Sequence, residues 1–132
     1  MFRLDNKTAL VTGGGSGIGR AIANLFARQG GEVHILDRDE EGGAAVVTEI
    51  KAAGGIAQFH ACNVTDQKGV KALVDNIAAQ SGAIHLLINN AGVAHIGNAE
   101  NTSEEDFDRL LQVNVKGVYN LLQSAIPHMK TG

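Results

Sequence analysis

Three short segments carry residue types and spacings suited to holding a ligand with phosphates and ribose. The first is Thr12-Gly13-Gly14-Gly15-Ser16-Gly17-Ile18-Gly19, directly after the apolar run Ala9-Leu10-Val11. Glycines at a strand-to-helix turn let the backbone bend tightly and approach a pyrophosphate. The pyrophosphate charge then sits among the unpaired N–H groups of a helix N-terminus. The second is Asp37, which closes Val33-His34-Ile35-Leu36 eighteen residues beyond Gly19. A carboxylate there accepts hydrogen bonds from ribose hydroxyls and repels a 2′-phosphate, which favours NAD over NADP. Arg38 pulls the other way, because a basic side chain pairs with that phosphate. The third is Asn89-Asn90-Ala91-Gly92, after the run Ile84-His85-Leu86-Leu87-Ile88. Two amides at a strand end can pin neighbouring loops, and Ala91-Gly92 leaves room for a flat ring; a plain Asn/Gly turn is the bland alternative.

The glycine spacing separates this turn from two others. A P-loop requires Lys then Ser/Thr after its last glycine, and Gly19 is followed by Arg20-Ala21. The G-x-G-x-x-G pattern fails as well, because Gly15 and Gly17 would call for glycine where Arg20 stands. What remains is T-G-x-x-x-G-x-G.

The elements needed to position these residues are legible in the hydrophobic pattern. Short apolar runs (residues 9–11, 33–36, 56–61 and 84–88) alternate with helical patterns at Ala21–Arg28, Glu40–Ala53 and Lys68–Gln80, and a long helix opens near Ser103. Continuous apolar strands separated by helices predict βαβ units and a parallel sheet covered on both faces. We therefore expect one α/β domain over residues 1–132 with four strands. Gly30-Gly31 and Gly54-Gly55 stand where helices should stop in a left-handed cap. Asp39 and Asp66 read as helix N-caps, and Thr102-Ser103-Glu104-Glu105 reads as a capping box.

Taken together, T-G-x-x-x-G-x-G, Asp37 and N-N-A-G resemble the short-chain dehydrogenase/reductase family along essentially the whole chain. The resemblance implies a Rossmann-like sheet in the order 3-2-1-4, with part of the sheet missing, and a nicotinamide cofactor, NAD ahead of NADP. It implies cofactor contacts at Gly13, Gly15, Ser16, Gly17, Ile18, Gly19, Asp37, Arg38, Asn63, Val64, Asn90, Ala91 and Gly92. Asn63 stands where the family has an acidic residue facing the adenine, a departure that keeps a donor and an acceptor. Asn114, within Val113-Asn114-Val115-Lys116-Gly117, matches the asparagine of the family's catalytic tetrad. From the residues alone it falls on the stripe Phe107, Leu111, Val118, Leu121, Ala125, as a buried amide tying helix to sheet. The resemblance further implies a catalytic Ser and a Tyr-x-x-x-Lys motif; the one tyrosine, Tyr119, is followed four residues later by Gln123. The expected activity is hydride transfer between nicotinamide and an alcohol or carbonyl substrate, with the 132 residues binding cofactor but not turning over. A non-catalytic dinucleotide-binding or assembly module shares every motif. An S-adenosylmethionine methyltransferase shares only the glycine turn and the acid.

Composition bounds the rest. Charged residues make up 19% of the chain and the net charge is −3, with no Lys/Arg cluster, which gives no reason to expect nucleic acid or an anionic membrane as partner. One cysteine, Cys62, excludes an internal disulfide and fits a reducing, cytoplasmic setting. The uncharged stretch from Ser81 to Ala99 is broken by glycine, asparagine and histidine, unlike a membrane span. The five histidines show no ligand spacing, so no metal site is expected; those at 34, 60 and 85 fall in strand patterns, as packing residues. His95 and Ile96 are candidates for one wall of a substrate pocket. The apolar edge Ile84–Ile88 would need cover, either by a further strand or by self-association, and the resemblance implies a homo-oligomer.

Overall fold

The structure, a computed structural model, describes residues 3–92 and 100–129; His95 and Ile96 lie outside them. The chain runs β1 (Thr8–Thr12), α1 (Gly17–Arg28), β2 (Glu32–Asp37), α2 (Glu40–Ala52), β3 (Ile56–Ala61), α3 (Gln67–Ser81), β4 (Leu86–Asn89), α4 (Glu104–Leu111) and α5 (Gly117–Ala125). All strand pairs are parallel and the order is β3-β2-β1-β4, as the alternation of runs predicts. The register sets Thr12 opposite Leu36 and Asn89, and Asp37 opposite Ala61, so all four strands end along one edge of the sheet. The chain winds outward from β1 through β3 and then crosses back to β4. The crevice at that reversal is where open parallel sheets bind ligands.

Side-chain alternation divides the strands between two cores. On one face Leu10, Leu36, Cys62 and Val64 pack with Val70, Val74 and Ile77 of α3 and with Leu121 and Ala125 of α5. On the other, Val11, Val33, Ile35 and Ala57 pack with Ala23 and Ala27 of α1 and Val46 and Ile50 of α2. Each fully buried aliphatic side chain contributes about 1.5–3 kcal/mol relative to exposure. β1 is buried at all five positions because both its faces are covered.

The caps follow the sequence closely. Gly30 and Gly54 adopt φ of 93° and 88°. Behind them, Gly31 N–H bonds Phe26 O at 3.1 Å and Gly55 N–H bonds Ile50 O at 2.9 Å, closing two Schellman motifs. Asp39, Asp66 and Ser103 each accept from the backbone N–H three residues on.

Three local readings change. α1 begins at Gly17 rather than Ala21, because the helix starts inside the glycine turn, where glycine content masks its periodicity. β4 begins at Leu86, two residues after Ile84. Ile84 is buried, but its N–H turns aside to His128 O at 3.3 Å, and His85 precedes the strand. The long helix from Ser103 is interrupted by a π-helical turn at Gln112–Lys116, which shifts the faces before and after it out of line. Leu121 and Ala125 are buried as expected, whereas Phe107 and Leu111 are exposed. Asn114 lies in that turn and is exposed, not on a core stripe. The amide that does tie this helix to the loop after β3 is Asn120. It is fully buried, donates from Nδ2 to Val64 O at 2.9 Å and accepts from Gln67 Nε2 at 3.3 Å.

Candidate cofactor-binding site

The glycine turn is built around one carbonyl. Gly13 leaves β1 at φ 67°. Its oxygen accepts from Asn90 Nδ2 at 3.1 Å, joining the first motif to the third. α1 presses on the same oxygen so closely that a Cβ at Gly19 would lie 2.1 Å from it and 2.6 Å from Asn90 Nδ2. Only glycine permits that approach. Thr12 completes the joint from below. Its hydroxyl donates to Ile88 O at 3.3 Å and accepts the backbone N–H groups of Asn90 and Ala91, both at 3.0 Å.

The start of α1 is chemically distinct. α2, α3 and α4 each have a side-chain cap, but at Ser16 the N-cap side chain makes no such bond, and the first turn of α1 holds no acidic residue. Its N–H groups therefore point toward the crevice with the positive end of the helix dipole behind them. Ile18 stands out beside them, 72% exposed.

Asp37 is held rather than loose. Its Oδ2 accepts from Gly15 N–H and its Oδ1 from Asp39 N–H, both at 3.0 Å. A Cβ at Gly15 would lie 2.8 Å from Oδ2 and 3.0 Å from Gly43 N, so a side chain there would push the carboxylate out of this position. The capping role belongs to Asp39, which leaves Asp37 as an acceptor at the crevice. Asn63 accepts at Oδ1 from Thr65 N–H (3.1 Å) and the Thr65 hydroxyl (2.7 Å), which holds its loop in an Asx-type turn and leaves its amide N–H₂ available. Burial, with the nearby charges of Asp66 and Asp37, pushes the Cys62 thiol up to about 11, so it is a neutral wall group.

These groups surround one cleft of about 390 Å³. Its lining includes Gly13, Ser16, Gly17, Ile18, Asp37, Arg38, Asn63, Val64, Asn90, Ala91 and Gly92 from the residues expected at a cofactor. Gly15 and Gly19 are not on the surface of the cleft; they support it from behind. Asn114 stands at the rim, its Oδ1 3.1 Å from where a Cβ on Gly92 would be. Sequence reasoning missed Leu36, Cys62 and Val113, which also line the cleft, and the clamping role of Thr12. All four directly precede an expected residue, so adjacency was the available signal. A hollow of about 420 Å³ between α1 and α2 meets the motif only at Gly17, and the Arg20–Glu49 ion pair lies in its lining. Among the described residues no group of three or more His, Cys, Asp or Glu could hold a metal, and no helix is long and apolar enough to cross a membrane.

The family model for short chain dehydrogenases matches residues 7–132. The chain belongs to the short-chain dehydrogenase family. Within it, the chain is 41% identical to a D-threitol dehydrogenase of Mycolicibacterium smegmatis, over 93% of this chain and 47% of that protein. It is 37% identical to a 3-oxoacyl-acyl-carrier-protein reductase of Thermotoga maritima, over 97% of this chain and 52% of that one. The chain thus spans about half the length of these curated relatives. Among solved structures, a metagenomic short-chain oxidoreductase in complex with NADP superposes with a TM-score of 0.91 at 38% identity, covering 96% of this chain and 57% of its own. A citronellol catabolism dehydrogenase of Pseudomonas aeruginosa also gives 0.91, at 36% identity, covering 100% and 56%. The four-stranded parallel fold is thus shared with these solved structures.

Thr12→Val keeps the shape of the side chain and removes the hydroxyl, leaving the Asn90 and Ala91 N–H groups without their acceptor. We expect a loss of about 1–3 kcal/mol in urea unfolding. An unchanged midpoint would remove Thr12 from the joint.

Proposed function

We propose that this chain is the cofactor-binding part of an NAD-dependent oxidoreductase acting on an alcohol or carbonyl substrate. The observation that carries the reading is the Asp37 carboxylate, fixed by Gly15 N–H at the side of a cleft whose floor is the uncapped end of α1. A dinucleotide laid across that cleft places its pyrophosphate on the N–H groups of Ser16, Gly17 and Ile18. Its adenosine ribose meets Asp37, its adenine lies toward Asn63 and Val64, and its nicotinamide end lies toward Asn90, Ala91, Gly92 and Asn114. Bound there, the cofactor supplies or accepts the hydride. The chain's own part is to hold and orient it, and Asn114 at the rim is assigned to organising the proton path of the catalytic groups. The 132 residues contain neither a Tyr-x-x-x-Lys motif nor an assigned serine, so this stretch alone binds cofactor without turnover. The neutral, buried Cys62 fits a reducing, cytoplasmic setting.

The NADP named with one similar structure makes cofactor choice the point to test. Asp37 repels a 2′-phosphate, and among the described residues its neighbour Arg38 is the only basic one lining the cleft. In titration calorimetry NAD should bind more tightly than NADP, and Asp37→Ala should weaken NAD about 10–100-fold, the loss of hydrogen bonds to a charged group. Tighter NADP binding would reverse the cofactor assignment; binding of S-adenosylmethionine without NAD would overturn the reading.

We further propose that the complete protein is a homo-oligomer. Phe107, Leu111, Val115, Tyr119, Leu122 and Ile126 recur at steps of three and four along α4, the π turn, α5 and the 3-10 turn after it, and all are exposed. An apolar stripe of that length marks an interaction surface. Leu111→Glu combined with Leu122→Glu should shift light-scattering mass toward the monomer, whereas an unchanged mass would place any interface elsewhere.

A further inference from the structure

A second polar cluster lies beneath the sheet, away from the cleft, and the cofactor reading does not use it. His34 of β2 is fully buried. Its Nε2 lies 2.7 Å from Glu32 Oε2 and its Nδ1 lies 2.9 Å from His60 Nε2 on β3. The two rings are near parallel, inclined by 19° with centroids 5.2 Å apart. His34 pairs in register with Gln58, so His60 is its diagonal neighbour on the same face of the sheet. The Ser81 hydroxyl, at the end of α3, donates to the same Glu32 oxygen. Four side chains thus join β2, β3 and α3. Glu32 and Ser81 also line a surface cavity of about 380 Å³, which connects the cluster to water.

The hydrogen-bond pattern fixes the protons. A carboxylate only accepts, so His34 Nε2 carries hydrogen and, in the neutral ring, Nδ1 accepts from His60 Nε2–H. Adding one proton makes His34 an imidazolium that donates at both nitrogens, to Glu32 and to a His60 that now accepts at Nε2. The contact survives. Adding a second proton sets His34 Nδ1–H against His60 Nε2–H, and no tautomer remains that keeps the bond.

We propose that the His34–His60 pair is a proton-limited latch between β2 and β3, closed with none or one bound proton and open with two. Its opening loosens the strand that leads into Cys62, Asn63 and Val64 of the cleft. The charged groups nearest the cluster are Asp5 and Lys7, which line the same cavity as Glu32 and Ser81. The core on this face adds Leu10 from β1 and Val70, Val74, Ile77 and Ala78 from α3. The charged Lys71 and Asp75 of α3 pair with each other, and Asp75 also with His128. His85, before β4, accepts Thr8 N–H at Nδ1, so its ring is tied to the backbone of β1.

Burial, then the neighbouring His34, holds His60 below the ordinary imidazole value of 6.5. Its stabilising effect is therefore complete above that value and is lost as the pH falls below it. Glu32 is held below the usual carboxylate value of 4.5, chiefly by the Ser81 hydroxyl, so its own loss comes at still lower pH.

The test is amide hydrogen exchange over Ile56–Ala61, corrected for intrinsic rates, between pH 7.5 and pH 5. The wild type should open about tenfold more at the lower pH, equivalent to one lost buried hydrogen bond. His60→Gln, which donates but does not titrate, should be flat, and His128→Gln should behave as wild type. Equal acid loosening in wild type and His60→Gln, or none in either, overturns the latch; loosening removed by His85→Gln instead assigns it to Thr8. Should His60→Gln fail to fold, imidazole ¹⁵N titration of the wild type decides the matter. Two separated steps with His60 second support the latch, and a single shared step contradicts it.

Discussion

Everything at the cleft depends on how closely α1 can approach the end of β1. The carbonyl of Gly13 is touched from two sides, by the first turn of α1 and by the Asn90 amide, and a side chain at Gly19 would occupy the space of both. Close packing at that oxygen aims α1 at the crevice and fixes the loop after β4 against the loop after β1. Thr12 reinforces the arrangement with one hydroxyl serving three backbone groups. A helix set back by the width of a methyl group would no longer present its N–H groups to the cleft, whatever the rest of the sheet did.

The same packing separates two kinds of charge. The uncapped end of α1 offers unpaired donors, and the one acid lining the cleft among the described residues, Asp37, is anchored to the turn by Gly15. Donors in the middle and an acceptor at the side match a molecule with a pyrophosphate centre and a ribose flank. Cys62, raised to about 11, adds shape and no charge. The two faces of the sheet meanwhile bury independent aliphatic cores, so the cleft is carried on a scaffold that does not need the ligand to form.

Much of this was legible in the letters because it depends on local rules. Apolar runs between helical patterns predict a parallel sheet, paired glycines predict the Schellman ends, and Asp39, Asp66 and Ser103 predict caps. What was not legible depends on geometry that accumulates over distance. The π turn at Gln112–Lys116 leaves no mark in the hydrophobic spacing, yet it turns Asn114 outward to the rim and gives the buried amide position to Asn120. The histidines at 34 and 60 read as packing residues, 26 positions apart, until strand register makes them partners. Ile84 is apolar enough for a strand, but a hydrogen bond to His128 O takes it off the ladder.

If the three motifs meet at one dinucleotide site in the β1–β4 crevice, hydrogen exchange of the protein with and without saturating NAD will show it. Protection should be confined to the glycine turn at 13–19, the end of β2 at 36–38, the loop after β3 at 62–64 and the segment 90–92, with α2 beyond its first turn unchanged. Protection centred instead on the α1–α2 hollow, at Asn24 and Glu49–Ala53, would contradict it.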